Sequence, residues 1–63
     1  MSKPKVGETY KVNTWPVTVI RSDDFVVEYN VHERDGSMKR IGSHKKSQLG
    51  WSEDASNGEI IPL

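Results

Sequence analysis

The sequence predicts an all-β fold, a small and partly open barrel of four to five short strands around a long central hairpin. Three observations carry that reading. Within residues 25–41, Phe25, Val27, Tyr29 and Val31 take every second position while Glu28, Asn30 and His32 fall between them, the period-two pattern of a strand with one buried face, broken only by Val26. Asp35 and Gly36 follow, a dipeptide suited to the positive φ of a type I′ hairpin turn, and residues 37–43 return from it. Elsewhere, short β-prone runs alternate with turn signals, and no stretch reads as a convincing amphipathic helix.

In chain order, residues 1–5 read as a flexible lead-in, because Pro4 cannot donate to a ladder and Lys3 and Lys5 are solvated. A first strand starts near Val6, with Val6, Tyr10 and Val12 on one parity and Gly7 marking a bend. Asn13, Thr14, Trp15 and Pro16 form a connection in which Pro16 ends regular pairing. Residues 16–21 are the second strand, apolar on both faces through Val17, Val19 and Ile20. Ser22, Asp23 and Asp24 turn into the central hairpin. After it, residues 42–50 are expected to hold a tight helical turn that sends Leu49 inward and stops at Gly50. Trp51 then opens a last short strand or packs over the barrel mouth. Residues 52–63 are a polar loop with a turn at Asn57 and Gly58 and a weakly ordered tail that pairs briefly or frays. The expected core is Val6, Tyr10, Val12, Val17, Val19, Phe25, Val27, Tyr29, Ile41 and Leu49.

Sixty-three residues make one small domain, which buries only roughly 60% of its unfolded surface. Hydrophobic residues are 33% and charged residues 29%, a lean core helped by five aromatic side chains. Without cysteine there is neither a disulfide nor a thiolate metal site, and no run nears the roughly 20 apolar residues of a membrane span. The expectation is a cytoplasmic protein with no membrane partner. Nine basic and nine acidic residues cancel, yet they are unevenly spread. Residues 38–49 hold Lys39, Arg40, His44, Lys45 and Lys46 with no acid, whereas Asp23, Asp24, Glu28, Glu33 and Asp35 crowd the stretch before them.

The spacing Gly7-x-x-Tyr10, Val17-x-Val19-Ile20, Asp23-Asp24-x-Val26-Val27-x-Tyr29, Asp35-Gly36, Ile41 and Leu49 resembles SH3-like barrels of the Tudor and related type. The opening Gly7-Glu8-Thr9-Tyr10 is similar to that of short domains attached to nucleases encoded by bacteriophages. The resemblance spans residues 6–49 and implies an SH3-like barrel that binds nucleic acid. Its hairpin, residues 25–41, is longer than is usual there.

No enzyme is expected. Asp23-Asp24 and Glu53-Asp54 are adjacent carboxylates of the kind that cap turns. His32 and His44 are the only imidazoles and stand alone, so neither metal nor cofactor is expected. A phosphate-binding loop and a nucleophile elbow are both missing from the sequence. The leading functional reading is a small, non-catalytic module for DNA or RNA, with Lys39, Arg40, His44, Lys45 and Lys46 on phosphates and Trp15 and Trp51 stacking on bases or else serving the core. Against it stands an edge strand that uses its lysines to prevent aggregation. The alternative is a protein-binding module or inhibitor, of the size bacteriophages direct at host enzymes, acting through Asp23, Asp24, Glu28, Glu33 and Asp35 or through an unpaired strand edge.

Overall fold

Strands β1 (Thr9–Val12), β2 (Trp15–Ser22), β3 (Val26–His32) and β4 (Arg40–Ser47) follow one another as an antiparallel meander in the computed structural model, which describes residues 3–63. Met1 and Ser2, the start of the expected lead-in, lie outside the described residues. Helix α1 (Gln48–Ser56) then leads to β5 (Ile60–Pro62), which pairs with β1. The sheet order is β4-β3-β2-β1-β5, so β4 and β5 are the two edges of one open sheet. The fold is thus mostly β with one helix where a single turn was expected.

The tight hairpin turn stands elsewhere than the sequence suggested. Asn13 and Thr14, at φ 48° and 77°, join the paired residues Val12 and Trp15. Two successive positive φ values are the mark of a type I′ connection. In such a hairpin the flanking pair is hydrogen-bonded, so the nitrogen of Pro16 points away from β1. On that side β3 joins β2 only from Val17 onward, which is how a proline fits inside β2. At Asp35-Gly36 the chain makes a longer loop over residues 33–39, closed by Glu33 N–H donating to the Lys39 carbonyl at 2.9 Å. Asp35 Oδ1 accepts from Ser37 N–H at 2.9 Å, an Asx turn that competes with the two-residue hairpin, and positive φ falls on Gly36 and Met38.

The core is Val12, Val17, Val19, Val27, Tyr29, Trp51 and Ile60, with Tyr10, Val31 and Ala55 packed against it. Four expected members are outside. Phe25 is 83% exposed because Asp23 Oδ1 accepts the N–H groups of Phe25 and Val26, which holds Phe25 in the turn. Leu49 is 73% exposed on the first turn of α1, away from Trp51. Val6 precedes the positive-φ Gly7 and never enters a strand, and exposed Ile41 sits in the register shift between β3 and β4.

Residues 52–63, expected as loop and tail, hold most of α1 and all of β5. Ser47 caps the helix, its hydroxyl accepting from Gly50 N–H at 2.9 Å. Gln48 Nε2 donates to Ser22 Oγ and the Asp23 carbonyl, at 3.0 and 2.7 Å, and so ties the helix start to the β2–β3 turn. The lead-in is also engaged: Pro4 is buried, Lys3 pairs with Asp24, and Lys5 N–H donates to Glu8 Oε1. Among the described residues no helix is long and apolar enough to cross a membrane.

Candidate functional site

One face of the sheet carries Tyr10, Val12, Val17, Val19, Val27, Tyr29 and Val31, and α1 covers only part of it. In the covered half, Trp51 meets Tyr10 and Tyr29 edge to face, with ring centroids 5.2 and 5.7 Å apart. Such contacts orient the rings as well as burying them. Lys46 Nζ reaches Asp54 of the helix at 2.6 Å. That hydrogen bond holds the Asp54 carboxyl below the usual carboxylate range and pushes Lys46 up. Burial raises the Tyr29 phenol, and burial with the Tyr10–Glu8 hydrogen bond pushes Tyr10 up to about 12.

The other half is open. A cleft of about 430 Å³ has half-buried Val31 in its floor, with the core residues Val17 and Tyr29, 0% and 5% exposed, beneath it. Asn13 and Trp15 of the β1–β2 hairpin form one wall, and Ile41, Gly42 and His44 of β4 form the other. Gly42 lies opposite Val31, and a Cβ added to it would meet nothing within 4 Å. The wall is therefore lowest beside the sheet edge. Trp15 is half-buried and carries the Arg34 guanidinium 3.6 Å above its ring, with Arg34 Nη2 also donating to Thr14 Oγ1 at 3.0 Å. This stack fixes the position of the tryptophan at the cleft mouth.

The residues proposed from sequence are dispersed. Trp51 is 4% exposed and belongs to the core, where no base can stack on it. Lys46 faces the covered half and is paired to Asp54, whereas Lys45 lies on the opposite face across from Glu28. Arg40 is on that outer face too, its Nε donating to Asn30 Oδ1 at 3.1 Å. Lys39 belongs to the β3–β4 loop. Of the basic and aromatic set, only Trp15 and His44 meet at the cleft. The acidic set fares similarly. Asp23 and Asp24 occupy the turn at one end of β3, and Glu33 and Asp35 the loop at its other end, roughly 20 Å away for a seven-residue strand. Backbone donors from Phe25 and Val26 lower the Asp23 carboxyl, and Ser37 lowers Asp35, so both carboxylates serve turns. His32 is on the outer face as its parity predicts, but is buried, with Nε2 2.7 Å from Thr18 Oγ1.

The cleft itself escaped the sequence reading. Its one available signal was Gly42 in the run that returns from the hairpin turn, since a strand glycine often marks a bulge or a close approach. No family model, curated protein sequence or solved structure matches this chain.

Proposed function

We propose that the chain is a small, non-catalytic protein-binding module, built as an SH3-like partly open barrel, whose working surface is the open half of the inner face with the β4 edge beside it. The meander with β5 returning to β1, and the helix crossing between the two edges, support the barrel reading. The observation that carries the function is the uncovered apolar cleft beside an eight-residue edge strand. A concave apolar site with a few polar groups is the usual form of a recognition pocket, and an unpaired edge supplies backbone donors and acceptors.

The test is capture from a lysate treated with nuclease, with the wild-type chain and Gly42→Val as parallel baits. A protein retained by the wild type and lost with the valine variant supports the module. Capture that disappears with nuclease, or that ignores the valine, contradicts it. A second reading, single-stranded nucleic acid on the same cleft, is favoured by the meeting of Trp15 and His44 there, with the Arg34 guanidinium stacked on the Trp15 ring. It predicts oligonucleotide affinity that falls with salt at roughly −0.7 per phosphate contact.

A further inference from the structure

We propose that the β4 edge receives an extended segment of a partner in which apolar and acidic residues alternate, the apolar side chains entering the cleft and the acidic ones lying against Arg40 and Lys45. This rests on the binding-module reading and names its ligand class. Because β4 is an edge, every second residue directs its N–H and C=O away from β3, toward a position that no strand fills among the described residues.

The two faces of β4 then dictate the pattern of the added strand. Successive residues of a strand point to opposite faces. On the inner side β4 presents Gly42, His44 and the apolar cleft, with Lys46 already neutralised by Asp54. On the outer side it presents Arg40, Ser43 and Lys45. Arg40 donates to Asn30 through Nε, and its planar guanidinium is the group that suits a carboxylate. Glu28 opposes Lys45 and offsets part of its charge, while β4 contains no acid of its own.

This division explains why a strand suits the site better than a polyanion. A phosphate chain tracking the outer face would meet Arg40 and Lys45 but leave the apolar cleft empty, whereas a strand in register addresses both faces at once. It also disfavours a second copy. Two β4 edges paired together would bring Arg40 and Lys45 of each copy onto one shared outer face with no acid in either strand, and like charges brought together across strands are destabilising.

The experiment is selection of random displayed dodecapeptides on the full chain, followed by binding and amide-exchange measurements on the enriched peptides. The expected winners alternate acidic and apolar residues over about five positions, contain no proline there, and slow exchange along β4. Arg40→Gln combined with Lys45→Gln should weaken them about ten-fold, and Gly42→Val, which leaves the backbone unstrained, should abolish binding. Winners without the acidic alternation, binding indifferent to the double change, or unchanged β4 exchange would overturn the strand proposal. Selection that enriches nothing overturns it too. In each of those cases the module reading stands if nuclease-resistant capture remains sensitive to Gly42→Val, and falls if it does not.

Discussion

The two halves of the inner face share one set of strands but differ in what closes them. Over Tyr10, Tyr29 and Val27 the chain supplies its own lid, α1 with Trp51, and the side chains become core. Around Val31, Trp15 and Ile41 none is present among the described residues, and the same kind of apolar surface becomes a cleft. The contrast teaches that this domain spends a single large side chain on closing its sheet. Stability should therefore concentrate in one half and recognition in the other.

Removing Trp51 should have the largest effect on the covered half. Trp51→Ala deletes the residue that joins α1 to both tyrosines and is expected to cost about 3–5 kcal/mol, a large part of what a domain of this size possesses. Thermal melts should show an unfolded or barely folded chain. A variant that melts with the parent would place the core elsewhere.

Gly42→Val attacks the open half and should act oppositely. Its site has room and ordinary strand φ, so the added side chain should leave stability within about 1 kcal/mol of the parent, on the stabilising side. Partner capture, by contrast, should be lost. A destabilised Gly42→Val would mean that the cleft is collapsed in solution.

Asp54→Asn tests the ion pair that fastens the lid, and a loss of no more than about 1 kcal/mol is expected for a pair this near the surface. Its pH dependence has a definite sign. The folded Asp54 carboxyl lies below its unfolded value, so the contribution is complete above pH about 4 and is lost as pH falls through the folded value. Lys46 is raised, so its contribution is present below pH about 10.4 and is lost as pH rises further. Acid melts of parent and variant should converge below pH 4; curves that stay separated would assign the effect to packing. Smallest of all, Leu49→Ser on the outer side of α1 should change the melt by no more than about 0.5 kcal/mol. A larger loss would show that Leu49 is covered.

Alternation made the strand content and five of the core positions readable from sequence, because Val12, Val17, Val19, Val27 and Tyr29 obey a period of two. Helix α1 was not readable. Its buried side rests on Trp51 and Ala55 alone, while Leu49 points outward and Gly50 interrupts the first turn, so no apolar stripe forms. Phe25 was misplaced because side-chain capping by Asp23 delays the strand by one residue, an effect that parity does not contain. The basic run was visible, but its division between two faces depends on the register of β4 against β3. The cleft depends on where α1 stops covering the sheet, which is a tertiary fact.

The two tryptophans report separately on the two halves, because Trp51 lies in the covered half and Trp15 at the cleft. The measurement is the pair of indole N–H resonances of the isotope-labelled chain, followed while a captured or selected partner is added. The Trp15 signal is expected to shift progressively while the Trp51 signal stays in place. A shift at Trp51 with Trp15 unmoved would contradict that expectation.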